Sequence, residues 1–153
     1  MNFINSEIEN YCLKFSTKET KLLQKLTRET NYKILMPRMM SSHYMGLFLK
    51  MITSFKKPKK ILEIGMFTGY STICLAKELA DEGELHTIEK NEEIIDFASR
   101  FIKESNLDHK INIYNGDAKY IIPKLTTKYD LIFIDADKKN YCLYYDLCVP
   151  KLK

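Results

Sequence analysis

The sequence predicts a doubly wound α/β fold with a mostly parallel sheet, and three observations carry that prediction. From Lys60 onward, short apolar runs alternate with amphipathic helical stretches, the pattern of parallel strands joined by right-handed helical crossovers. The first run, Ile61-Leu62-Glu63-Ile64, stops at a loop bounded by Gly65 and Gly69, after which a helical pattern begins. Glycines there let the backbone approach a ligand, and the start of the next helix offers unpaired N–H groups. Finally, Leu131 to Ile134 shows no polar alternation, as expected of a strand covered on both faces.

The elements follow in order. Ser16 with Glu19 is a capping-box signature, and Leu22, Leu23 and Leu26 form an apolar stripe reaching about Thr30. Pro37 breaks the pattern. Ser41 or Ser42 then caps a second helix whose Met45, Phe48, Leu49 and Ile52 share one face, a face expected to pack on the sheet. Strands are predicted at Ile61–Ile64, Leu85–Glu89, Ile111–Tyr114 and Leu131–Ile134. Between them lie helices at Ser71–Ala80, at Glu92–Glu104 with Ile94, Ile95, Ala98, Phe101 and Ile102 on one side, and at Ala118–Leu125, interrupted by Pro123. A last helix spans Tyr141–Leu152. Only the first four strands of such a sheet are expected here, and a carboxy-terminal piece is expected to be absent.

The 153 residues fit one structural unit, with 45% apolar and 29% charged residues, enough for a core. The net charge of +4 is spread along the chain except at Lys56-Lys57-Pro58-Lys59-Lys60, read as a solvated loop. Cys12, Cys74, Cys142 and Cys148 lack metal or redox spacing and read as small hydrophobes in a reducing compartment. His43, His86 and His109 are isolated from one another and from the cysteines, which argues against a zinc site of the usual spacing. No segment has the pattern of a leader peptide or a membrane span, so a cytoplasmic protein without membrane partners is expected.

Chemistry gathers at the predicted strand ends. Phe67 stands where a dinucleotide fingerprint needs its second glycine, which argues against a pyrophosphate and for a different adenosyl ligand. Glu63 is an acid in an apolar strand; a partly buried acid satisfied by backbone N–H groups is the plain alternative to a binding role. Glu89 closes the second strand 24 positions after Gly65, where a carboxylate can meet both hydroxyls of a ribose. Asp117, followed by the small Ala118, can meet an adenine amino group and leave room for the ring, although Gly-Asp also starts many turns. After the fourth strand, Asp135 and Asp137 are placed to coordinate a hard divalent cation, and Lys138 to act on a substrate proton. The competing reading of Asp135-Ala136-Asp137-Lys138 is a solvated helix start.

Together these segments resemble the cation-dependent O-methyltransferases that use S-adenosylmethionine, the group containing the caffeoyl-CoA and catechol enzymes. The resemblance runs from about Leu26 to the end. It includes Met39, Ser41-Ser42, Gly46-Leu47-Phe48-Leu49, Glu63-Ile64-Gly65-Met66-Phe67-Thr68-Gly69-Tyr70-Ser71, Asp108-His109-Lys110-Ile111, Gly116-Asp117-Ala118 and Asp135-Ala136-Asp137-Lys138-Lys139-Asn140-Tyr141. It implies that residues 1–55 form helices over the cofactor pocket and that 56–153 form an incomplete S-adenosylmethionine-binding α/β domain. It further implies that Glu63, Gly65, Met66 and Ser71 surround the methionine part of the cofactor, Glu89 the ribose, and Asp117 with Ala118 the adenine. Met39 and Ser41 would close the pocket, and Asp137 would lie beside the cofactor. Asp135 would bind Mg²⁺ or another divalent cation, and Lys138 would be the general base. The family continues with a Gly-Gly turn and a strand ending in Asp-Asn that completes its metal site, and these residues do not occur in this sequence.

The implied reaction is methyl transfer to a hydroxyl of a small aromatic or of a modified nucleoside. Two alternatives stand beside it: methylation of hydroxyuridine in transfer RNA, which the excess of lysine permits, and an inactive remnant or split-gene fragment needing a partner for the missing strands. Relatives are often dimers, so a homodimer is a further expectation.

Overall fold

A computed structural model describes residues 5–153. Two short helices come first, α1 (Ser6–Phe15) and α2 (Lys21–Lys33), followed by α3 (His43–Lys56). The cap of α2 is Thr20, whose hydroxyl accepts from Leu23 N at 3.4 Å. The predicted capping box from Ser16 is therefore corrected: Ser16 closes α1. Glu19 is drawn instead to Tyr70, whose hydroxyl donates to it at 2.6 Å.

Ser42 caps α3, accepting from Met45 N at 3.3 Å. The buried face of α3 is Gly46, Leu49 and Thr53, whereas Met45 and Phe48 are exposed. The helix is thus rotated from the predicted phase, and it packs on the helix after the first strand, not on the sheet. Gly46 explains the choice, since a Cβ there would stand 2.7 Å from the Tyr70 ring and 2.9 Å from Cys74 Sγ. Only a bare backbone allows so close an approach.

The remainder alternates as predicted: β1 (Lys60–Ile64), α4 (Tyr70–Lys77), β2 (Glu84–Glu89), α5 (Glu92–Glu104), β3 (Ile111–Asn115), α6 (Ala118–Ile121), β4 (Leu131–Ile134) and α7 (Tyr141–Cys148). The predicted helices at Ser71–Ala80 and Tyr141–Leu152 end earlier than the sequence pattern suggested, the latter in a 3-10 turn through Pro150. The strands form one parallel sheet in the order β3-β2-β1-β4, with Glu63 level with Thr87 on one side and Phe133 on the other.

Strand alternation separates two cores. Ile61, Leu85 and Ile111 point toward α4 and α5, with Leu23, Leu26 and Leu49 behind them. Leu62, Ile64 and Ile88 point to the opposite face, against Ala118, Ile122, Tyr144 and Cys148. The doubly wound fold is therefore present. β4 departs from its prediction: its residues are half-buried, because it lies at the sheet edge. Just before its start, Tyr129 N donates to Lys151 O at 2.8 Å and Lys153 N to Tyr129 O at 2.9 Å, a single parallel bridge to Leu152.

All four cysteines are free thiols; Cys74 and Cys148 are buried, but Cys142 is exposed, against the expectation for it. No helix among the described residues is long and apolar enough to cross a membrane.

Candidate active site

The chain runs from β1 outward to β2 and β3, then returns across the sheet to β4 on the other side of β1. That reversal opens a crevice at the carboxyl ends of β1 and β4, where open α/β sheets bind their ligands. A cavity of about 560 Å³ occupies this position. The ladder continues one residue past the strands: Gly65 N donates to Ile88 O at 3.0 Å, Gly116 N to Glu89 O at 2.9 Å, and Asp135 N to Ile64 O at 2.9 Å. All the strand tips are thereby held in register around one opening.

The β1–α4 loop has positive φ at Gly65 (97°), Phe67 (46°) and Gly69 (89°). Gly65 is needed there, because a Cβ would come within 2.5 Å of Asp135 O. Phe67 pays a conformational penalty that a carboxylate offsets: Glu89 Oε2 accepts from Phe67 N at 3.0 Å. Glu89 Oε1 accepts from Lys90 N at 2.9 Å and Asn91 N at 3.0 Å. Three backbone donors thus aim this carboxylate at the cavity and leave part of its acceptor capacity for a ligand hydroxyl.

The predicted residues come together with two exceptions. Met39, Ser41, Gly65, Met66, Ser71, Glu89, Asp117, Ala118, Asp135 and Asp137 all line the cavity. Glu63 does not: it is fully buried beneath the loop, with Oε2 accepting from the hydroxyls of Thr72 at 2.5 Å and Thr87 at 2.7 Å. Its Oε1 has no partner among the described residues. Burial pushes this carboxyl up to about 7, against the pull of the Ser71, Thr72 and Thr87 hydroxyls. Lys138 is the second exception. It opens a 3-10 turn (Lys138–Asn140), exposed and outside the cavity lining, with its positive charge acting on Asp135.

The walls differ in character. Asp117 caps α6, accepting from Lys119 N at 3.0 Å, and Ala118 leaves an apolar recess beside Ile88 and Ile94. Asp135 opens to the cleft, yet surrounding protein holds its carboxyl above the usual range despite the Ser41 and Tyr141 hydroxyls and the Lys138 ammonium. Asp137 is held below the usual range, mainly by the Tyr144 hydroxyl, which donates to Oδ2 at 2.7 Å, with Asn140 Nδ2 donating to Oδ1 at 2.7 Å.

Tyr144 and Thr68 also line the cavity and escaped the sequence reading. Tyr144 had a legible signal, lying seven residues after Asp137 on the apolar face of a helix; the buried hydroxyl of Thr68 had none. That hydroxyl is buried and has no partner among the described residues.

A nucleoside of the S-adenosylmethionine kind fits these donors: acceptors for hydroxyls and amines, an apolar slot for a ring, and carboxylates toward a cation. A divalent metal does not fit on this chain's groups alone. No cluster of three or more His, Cys, Asp or Glu with that capacity occurs among the described residues, Asp137 is already engaged, and the group next to Asp135 is an ammonium.

Comparison with known proteins agrees with this geometry. The O-methyltransferase family profile matches residues 13–153. A probable caffeoyl-CoA O-methyltransferase of Dictyostelium discoideum is 30% identical over 97% of this chain and 67% of its own length. A flavonoid 3',5'-methyltransferase of Vitis vinifera is 33% identical over 71% of this chain and 48% of its own length. The crystal structure of the O-methyltransferase TomG of Streptomyces achromogenes, in complex with SAM, superposes with a TM-score of 0.90 at 28% identity, covering 96% of this chain and 67% of TomG. The chain therefore spans between about half and two thirds of the length of these proteins. With its four-stranded parallel sheet, its glycine loop and its acidic strand ends, the chain belongs to the O-methyltransferase family.

Proposed function

We propose that the chain binds S-adenosylmethionine in this cleft and forms the methyl-donor side of an O-methyltransferase site, acting on a hydroxyl of a small aromatic or of a modified nucleoside. The observation that carries the reading is the convergence of Gly65, Glu89, Asp117 and Asp135 around one cavity, each from the end of a different parallel strand.

The bound cofactor supplies an electrophilic methyl on a sulfonium. This chain's residues do the rest by holding and orienting. Glu89 accepts from ribose hydroxyls with the capacity left by its three backbone donors. Asp117 accepts from the adenine amine while Ala118 and Ile88 flank the ring. Gly65 and Ser71 face the methionine portion, and Met39 and Ser41 cover it from the segment between α2 and α3. On the acceptor side, Asp135 orients the hydroxyl that is methylated, and Lys138, swung from its exposed position into the cleft as the neutral amine, receives its proton. The incoming oxygen gains the methyl, and the sulfonium becomes a neutral thioether. No step is assigned to a metal.

Calorimetric titration of the chain with S-adenosylhomocysteine tests the reading. Saturable binding at one site is expected, lost on Asp117→Ala. A folded chain that shows no binding heat, and no thermal stabilisation by the same ligand, refutes it.

A further inference from the structure

The cleft has one wall whose stiffness depends on a residue with no role so far. Tyr144 is buried on α7, and its ring packs in the core that also holds Ile64, Ile88 and Ala118. Its hydroxyl leaves that core to donate to Asp137 Oδ2 at 2.7 Å. Asn140 completes the arrangement twice, through Nδ2 to Asp137 Oδ1 at 2.7 Å and through its own N–H to Asp137 O at 3.2 Å. At its other end the same loop rests on the glycine turn, where any Cβ on Gly65 would strike Asp135 O at 2.5 Å. The segment Asp135–Asn140 is therefore pinned at both ends, by the missing side chain of Gly65 and by the Tyr144 hydroxyl.

We infer that Tyr144 is a positioning residue for the cofactor cleft, clamping the Asp137 carboxylate so that the loop after β4 is set before the ligand arrives. The inference rests on the proposed cofactor site. Its physical basis is preorganisation: a loop with rival arrangements has to be ordered on binding, at the expense of affinity. The ring and the hydroxyl have separable duties. The ring fills the core under α7, and the hydroxyl holds a carboxylate that would otherwise turn toward solvent, since Asp137 is itself exposed.

Tyr144→Phe keeps the ring and removes the clamp. Titrated with S-adenosylhomocysteine, this variant is expected to bind about tenfold more weakly than the parent, the loss typical of a hydrogen bond to a charged group. Asp137→Asn is expected to weaken binding comparably, and the double variant is expected to lose no more than the larger single loss, because the two residues act as one unit. Replacing Tyr144 by 4-aminophenylalanine, which restores a donor at the ring tip, is expected to recover most of the affinity; a purely structural role for the ring predicts no such rescue. Affinity of Tyr144→Phe within about twofold of the parent overturns the inference, as does additivity of the two substitutions. Should Tyr144→Phe not fold, undiminished binding by Asp137→Asn overturns it alone. A folded parent that does not bind the ligand refutes the cofactor reading itself, an outcome distinct from a parent that binds and variants that match it.

Discussion

Replacing Glu63 by glutamine should remove a pH dependence of stability that the fold imposes on itself. Glu63 is 0% exposed, and no basic side chain is among the groups that set its carboxyl; the surrounding groups are the hydroxyls of Ser71, Thr72 and Thr87 and the negative Asp135. Three hydroxyls do not replace bulk water around a charge, so the neutral acid is favoured and the carboxyl rises from 4.5 to about 7. The folded state then holds a proton that the unfolded chain has released. Stability from this group is complete below about pH 4.5, falls as pH rises, and reaches a floor above about pH 7. The interval corresponds to a loss of about 3 kcal/mol, an upper value because water entry and relaxation reduce it.

Glutamine keeps the shape, and its carbonyl can accept from the same two threonines, but it has no proton to lose. Urea denaturation followed by circular dichroism at about pH 5 and about pH 8 measures the effect. The parent is expected to lose about 2–3 kcal/mol more than Glu63→Gln between those conditions. An unpaired amide NH₂ lowers the variant equally at both, so only the difference between the two slopes counts. Parallel pH profiles for parent and variant would refute the claim that Glu63 is driven neutral by burial.

Two further outcomes follow from the cleft. Gly65→Ala puts a Cβ 2.5 Å from Asp135 O at a φ of +97°; a loss of about 2–3 kcal/mol is expected in the same denaturation assay, together with weaker S-adenosylhomocysteine binding, and a change below about 0.5 kcal/mol would contradict the packing. Because no three-ligand cluster surrounds Asp135 among the described residues, S-adenosylhomocysteine affinity should be the same with EDTA as with millimolar Mg²⁺, and a change beyond about tenfold in calorimetry would show a cation site that this chain builds unaided.

Much of this arrangement was legible because local chemistry and global fold agree. The α5 helix matched its predicted limits, Glu92 to Glu104, since an Asn91 cap, two acids in the first turn and a strong apolar stripe all point the same way. The strand-end acids were readable because a parallel sheet delivers successive tips to one edge. What could not be read depends on contacts distant in sequence. Leu49 is buried as predicted, but periodicity alone puts Met45 and Phe48 inside beside it as readily as Gly46 and Thr53; the Tyr70 ring, seated where Gly46 has no side chain, selects the second pair. Ser16 and Thr20 are equally plausible caps until Tyr70 claims Glu19. Glu63 lies next to the ligand loop in sequence, but strand alternation turns it into the core on the α4 side, where it meets Thr87 on the neighbouring strand.

The same alternation explains how one acid supports the site without touching it. Glu63 and Gly65 are two residues apart and would share a face if β1 continued, but Gly65 N is the last donor to β2, and its positive φ turns the chain away. The acid before that turn anchors α4 through Thr72, fixing where the helix starts, and the residues after it face the cavity. Glu89 repeats the device from β2, bonding Phe67 N across the gap. Each acid thus acts at one side of the sheet tip, Glu63 from below by joining α4 to β2 and Glu89 from the rim by holding the loop. Only the rim acid retains access to solvent, so Glu89, and not the nearer Glu63, is the one that faces the cavity.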